Sequence, residues 1–151
     1  MTLRFLLDTN TVSALHWPSV PPQLPAKIEA HDGEFAIASV VWHELRYGCD
    51  LLPPSRRRSA LEAFLHDVVR PSFEMLDYDD RAADWHATER ARLVRAGLTP
   101  AFVDGQIAAV ARVNGLTLIT DNINDFSNFA ELRVENWLAP QRRPSARRRR
   151  A

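Results

Sequence analysis

Five acidic residues stand where an alternating strand-and-helix chain would place its chemistry. Asp8 closes an apolar run over residues 3–7, and Asp121 and Asp125 follow the run LTLIT. Glu44 and Asp104 lie in two helix-like segments, VVWHELRYGCD and AFVDGQIAAVARVN. In an open parallel sheet the working crevice lies beyond the carboxyl ends of the strands, so four separate segments can bring these acids to one edge. Carboxylates gathered in this way repel one another and raise each other's pKa values unless a cation neutralises them. With oxygen donors and no constellation of cysteine and histidine, the expected cation is Mg²⁺ or Mn²⁺. Such ions activate water and stabilise the entering and leaving oxygens of phosphodiester hydrolysis.

Each acid also has a plainer use. Asp8 can cap the helix after it, Arg46 or another base can neutralise Glu44, and Asp104 can complement a helix dipole. Asp121 and Asn122 suit an ordinary turn. Joint placement at corresponding strand ends is what favours a shared site. The histidines, His16, His31, His43, His66 and His86, sit in unrelated contexts, and most are read as surface or partly buried helix residues. His43 adjoins Glu44 but should point from a different helix face.

The elements that must position these residues follow from apolar spacing and punctuation. Strands are expected over residues 3–7, 35–38, 116–120 and 132–134. A proline-rich loop at 17–25 precedes a short helix at 26–31 that stops at Gly33. Ser39 is expected to cap the Glu44 helix, and Pro53 and Pro54 to open a helix that Pro71 stops. Asp79 or Asp80 should start a helix ending at Gly97, with Ala83, Ala87 and Leu93 on one side. Thr99 and Pro100 should begin the Asp104 helix, which Gly115 ends. This alternation predicts an α/β fold with a small, mainly parallel sheet flanked by helices.

At 151 residues, 46% hydrophobic and 25% charged, the chain has the size and composition of one soluble domain. Residues 1–138 are expected to form it, with 139–151 a basic, disordered tail. The net charge of zero conceals an asymmetry. Six arginines follow Glu135, the last acid, so the body carries 13 basic against 19 acidic residues, a net of −6. A nucleic-acid binder normally shows the opposite sign, which divalent cations held by the carboxylates would restore locally. Cys49 is the only cysteine, which excludes an internal disulfide and the usual zinc sites. No run is long enough for a membrane span, and the N-terminus lacks the apolar region of a signal peptide. The expected compartment is the cytoplasm.

Four segments, in order, resemble the motifs of the PIN-domain family, and within it the VapC toxins of prokaryotic toxin-antitoxin pairs. FLLDTNTVSAL is similar to the first motif, with Asp8 as its metal-site acid and Asn10 beside it. SVVWHELRYG is similar to the second through Glu44, Leu45 and Gly48, and VDGQIAAVA to the third through Asp104. TDNINDF resembles the fourth through Thr120, Asn122, Asp125 and Phe126. Val41 departs from a hydroxyl residue common in relatives. Asn122 stands where many carry Asp, so Asp121 and Asp125 compete for the fourth carboxylate role, and Asp125 is taken.

The resemblance implies a metal-dependent endoribonuclease acting on single-stranded or structured RNA, a homodimer, and neutralisation by a cognate antitoxin. It further implies that Asp8, Glu44, Asp104 and Asp125 are the catalytic and metal-holding residues. Thr9, Asn10, Thr120, Asp121 and Asn122 would support them. The apolar residues Phe64, Leu65, Trp85 and Leu93 leave two outcomes open: burial under a partner, or burial in the chain's own core. Rival functions are weaker. A haloacid-dehalogenase-like phosphatase needs a second Asp two residues after the first, where this chain has Asn10. It also needs a downstream lysine, and Lys27 is the only lysine. A receiver domain fails on the same lysine. The remaining rival is a non-catalytic α/β interaction module in which the acids serve only as caps.

Overall fold

Short apolar runs buried on both faces build the sheet. A computed structural model describes residues 2–139. The strands are β1 (Phe5–Leu7), β2 (Phe35–Ala38), β3 (Glu74–Leu76), β4 (Thr117–Ile119) and β5 (Val134–Glu135). They form one sheet in the order β3-β2-β1-β4-β5, and every pairing is parallel. Parallel pairing demands crossover connections, and helices supply them. Helices α1 (Thr9–Ala14) and α2 (Gln23–Ala30) join β1 to β2. Then α3 (Ser39–Asp50), α4 (Arg56–Ala63) and α5 (Arg70–Ser72) lead to β3, α6 (Asp80–Arg95) and α7 (Phe102–Val113) to β4, and α8 (Ile123–Phe126) to β5. The chain runs outward from β1 through β2 to β3, then returns on the other side to β4 and β5. The crevice at the ends of β1 and β4 is therefore the switch point of the sheet.

Leu6, Leu7, Ile37, Leu118 and Ile119 are fully buried, each contributing about 1.5–3 kcal/mol by leaving water. Helix α7 is buried from Ile107 through Ala111, and its alanines let it lie close against its neighbours. Gly97 and Gly115 end α6 and α7 with positive φ, as expected of helix-terminating glycines. Asp79 caps α6, accepting from the Ala82 N–H at 2.9 Å. No helix among the described residues is long and apolar enough to cross a membrane.

Several element ends differ from the sequence expectation. Glu74–Leu76 is an additional, partly exposed edge strand, stabilised by its pairing with β2 rather than by its own short sequence. Helix α2 begins at Gln23, since Pro22 and Pro25 fit a first turn. Ser55, not the proline pair, starts α4, its Oγ accepting from the Arg58 N–H at 3.1 Å. Pro71 does not stop the helix. Residues Phe64–Val69 widen into a π-helical stretch, the Arg70 N–H donates to Leu65 O, and helix continues to Ser72. Proline is tolerated where the helical register is already displaced.

Neither Ser39 nor Thr99 caps a helix: α3 starts from Ala38 and α7 from Ala101, both without a side-chain cap. The buried side of α6 is Ala82, His86, Glu89 and Leu93 rather than the alanine stripe, because two polar residues disguise it. Phe64, Leu65 and Leu93 are buried in the chain's own core, and Trp85 packs against Phe129 with ring centroids 6.0 Å apart. The core outcome holds for Leu65 and Leu93, whereas Phe64 also borders a surface groove and Trp85 is only partly buried. Residues 140–151 of the expected tail lie outside the described residues.

Candidate active site

Strands β1 and β4 lie in register with Leu7 opposite Ile119, so the residues that follow, Asp8 and Thr120, emerge side by side. The Asp8 N–H donates to Ile119 O at 3.0 Å, carrying the ladder one step past the strand. Asp8 also caps α1, its Oδ1 accepting from the Thr11 N–H at 2.9 Å. The plainer use is thus real, but it leaves the second oxygen free of that duty. Asp8 is only 5% exposed. Burial pushes its carboxyl above the usual range and the charge of Asp121 adds to this, while hydrogen bonding from Thr120 and Thr11 opposes it.

The Thr9 hydroxyl donates to Glu44 Oε1, fastening the first residue of α1 to the middle of α3. Helix α3 runs straight out of β2, which carries Glu44 to the same edge. His43 is exposed and stacks on Tyr47, turned away from Glu44 as helical geometry requires. Asp104 lies in the first turn of α7. Burial, then the charges of Asp125, Glu44 and Asp8, raise its carboxyl to about 6. One group that senses three others places all four acids in a common field.

Asp8, Glu44 and Asp104 line a cleft of about 220 Å³ together with Thr9, Asn10 and Asn122. Ile107 and Phe126 form its apolar wall. Their signal in the sequence is position alone: Ile107 is three residues beyond Asp104, on the same helix face. Asp125 faces an adjoining cleft that shares Asp104. Asp121 accepts from Asn10 Nδ2 at 3.4 Å on the Asp8 side. The two candidates for the fourth acid therefore flank different members of the cluster. Thr120 is buried, and its hydroxyl accepts from the Asn122 N–H at 3.0 Å, shaping the turn.

The PIN-domain family model matches residues 5–132. The chain belongs to the PIN-domain family. It is 32% identical over 136 residues to the tRNA(fMet)-specific endonuclease VapC of Shigella flexneri, covering 89% of this chain and 98% of the relative. It is 30% identical over 137 residues to Ribonuclease VapC2 of Haemophilus influenzae, covering 90% and 99%. Among solved structures, DNA-bound VapBC from Salmonella typhimurium has a TM-score of 0.78 at 29% identity, covering 89% of this chain and 98% of that one. VapBC2 from Rickettsia felis, bound to a fragment of promoter DNA, has a TM-score of 0.77 at 27% identity, covering 91% and 99%. These likenesses identify this PIN domain as an endoribonuclease of the VapC type.

The acids of the PIN domain suit a hard divalent cation. Asp8, Glu44, Asp104, Asp121 and Asp125 make no ion pair with any described residue, and every donor is an oxygen. A tighter set of metal-type donors lies elsewhere, where atoms of Cys49, Asp50 and Glu62 fall within 4.8 Å of one another. There Arg46 and Arg58 reach Asp50 at 3.3 and 3.7 Å, Arg58 reaches Glu62 at 3.6 Å, and burial pushes the Cys49 thiol up. That set is already neutralised by arginine. A larger cavity of about 520 Å³, among Trp17, Leu45, Leu61 and Phe64, contains no carboxylate. Size alone would misplace the chemistry.

Proposed function

We infer that this PIN domain is the ribonuclease toxin of a toxin-antitoxin pair. In this assignment Asp8, Glu44 and Asp104 hold Mg²⁺ or Mn²⁺, and Asp125 is the fourth acid. The observation that carries it is that α1, α3 and α7 bring Asp8, Glu44 and Asp104 to one cleft with no basic partner among the described residues, a crowding that accords with the raised Asp104 carboxyl. When bound, the cation supplies Lewis-acid stabilisation of charge developing on the scissile phosphate and makes the attacking water more acidic. The protein's part is positioning. The Thr11 amide fixes Asp8, the Thr9 hydroxyl fixes Glu44, Asn10 steadies Asp121, and Thr120 with Asn122 shapes the turn between them. Ile107 and Phe126 exclude water on one side, which strengthens every charge interaction in the cleft. The cleft offers no activated serine, cysteine or histidine, so no side chain serves as nucleophile.

The antitoxin's seat in this assignment is the apolar groove beside Trp17, which is 41% exposed. The toxin works in the cytoplasm as a homodimer, with residues 1–138 as the ribonuclease unit. Purified protein should cleave single-stranded RNA with Mn²⁺ and stop in EDTA. Asp8→Ala and Asp104→Ala should each reduce cleavage by about 100-fold or more while the circular dichroism stays that of the parent. Cleavage at the parental rate in either variant defeats the assignment, and absence of any metal-dependent cleavage favours the interaction module.

A further inference from the structure

Asp8 and Glu44 each have a hydrogen-bonding holder, but Asp104 has none among the described residues. Its place depends on the backbone of the first turn of α7, and that turn has no side-chain cap. What holds the turn is α6. A Cβ at Gly105 would overlap His86 Nε2 and would lie 2.6 Å from Cδ2 and 2.9 Å from Cε1. The imidazole is hemmed in by its neighbours. His86 is 4% exposed, its Nδ1 lies 3.1 Å from the Tyr78 hydroxyl, and the Phe102 ring packs on it at a centroid distance of 5.0 Å. The Arg90 guanidinium sits over Phe102 at 4.9 Å, closing that side. Burial, then Arg90, holds the imidazole below its ordinary pKa, so a neutral ring fills this seat. Glycine is a poor helix former, and its use beside a site acid answers a steric need: only a bare backbone lets the ring approach this closely.

We propose that His86 is a positioning residue whose imidazole, packed on the backbone at Gly105, fixes the first turn of α7 and thereby sets Asp104 relative to Asp8 and Glu44. The proposal rests on Asp104 being a site carboxylate, and His86 itself touches neither cation nor RNA. The pair is complementary in size. Enlarging residue 105 collides with the ring, shrinking residue 86 leaves a gap, and doing both removes the collision and fills part of the gap.

The test uses the full chain with H86A, G105A, H86A/G105A and D104N. Three quantities are measured: Mn²⁺ affinity without RNA, from the electron paramagnetic resonance signal of the free ion; cleavage kinetics; and melting temperature. Each of H86A and G105A is expected to weaken Mn²⁺ binding about tenfold and to lower kcat, with KM for RNA within about twofold of the parent. The double variant should recover Mn²⁺ affinity to within about threefold, the signature of a coupled pair. Lower melting temperatures in the single variants with unchanged Mn²⁺ affinity would make His86 merely structural and overturn the proposal. If G105A does not fold, H86A and the double variant carry the comparison. A double variant that is unfolded, or that binds Mn²⁺ as weakly as H86A, also overturns it. D104N separates the two levels: parental Mn²⁺ binding and cleavage in D104N defeats the site assignment itself. Loss in D104N beside parental values in H86A and G105A defeats only the positioning role.

Discussion

At Asp104 the needs of the site and of the fold pull in opposite directions. Its carboxyl is pushed up to about 6 in the folded chain against 3.8 when unperturbed, by burial first and then by the like charges of Asp125, Glu44 and Asp8. The folded state therefore holds the proton more tightly than the unfolded state, and metal-free protein loses stability as pH rises from 3.8 to about 6. Asp104→Asn removes that penalty. In EDTA at neutral pH it should raise the melting temperature by about 2–4 °C, roughly 1 kcal/mol after solvent screening, and flatten the dependence across this window. Calorimetry in EDTA checks this, and a variant that melts below its parent at neutral pH would show that the carboxylate is not strained. The same substitution should remove cleavage, so stability and activity move in opposite senses.

Among the elements, α6 carries an ion pair whose two halves are not equivalent. Glu89 is 6% exposed and accepts from Arg92 Nε and Nη2 at 2.9 and 2.8 Å and from the Ala130 N–H at 2.8 Å. Arg92 also donates to Asn128 O at 2.8 Å, so α6 grips the loop that follows α8 and Asp125. Arg92→Ala strands a buried carboxylate, whereas Glu89→Ala leaves a guanidinium whose side chain is 47% exposed and can be solvated. Arg92→Ala is expected to cost more stability than Glu89→Ala. Urea denaturation at neutral pH would contradict this by ranking them the other way. The Arg92 hydrogen bonds, then the Ala130 amide, hold the Glu89 carboxyl below 4.5. The pair's contribution is present above that value and is lost as pH falls through the folded pKa, where the two variants should converge with the parent.

For the whole molecule the question is how a body of net charge −6 holds an acidic polymer. Beyond the body's own 13 basic residues, positive charge can come from the arginines after Glu135 or from a cation held in the cleft. Ending the chain after Ala139 removes the six arginines. If they contacted phosphates, the salt dependence of single-stranded RNA binding would flatten by about 0.7 of a logarithmic unit per lost contact. The expected result is little change. Asp125→Asn, by contrast, should raise the Mn²⁺ concentration needed for half-maximal cleavage, since Asp125 contributes to the field at Asp104. Truncation that eliminates cleavage at saturating Mn²⁺, with Asp125→Asn behaving like its parent, would reverse the assignment of charge compensation.

The α/β class, the central strands and the gathering of Asp8, Glu44 and Asp104 at one cleft were legible in the sequence. Each depends on relations within a few residues: an apolar run, a polar residue at its end, a helix period. The edge strand β3 was not legible, because its three residues owe their conformation to a partner strand. Nor was the passage of a helix through Pro71, which depends on a register shift several residues upstream. The buried face of α6 escaped because His86 and Glu89 look like surface residues until their partners on other elements are known. The fastenings of the cleft are more remote still: Thr9 reaches Glu44 across 35 residues and Asn10 reaches Asp121 across 111. Local order along the chain determined which residues stood at the strand ends. Only tertiary packing decided how close they came, which oxygens were already engaged, and that a glycine beside Asp104 was required by a histidine on another helix.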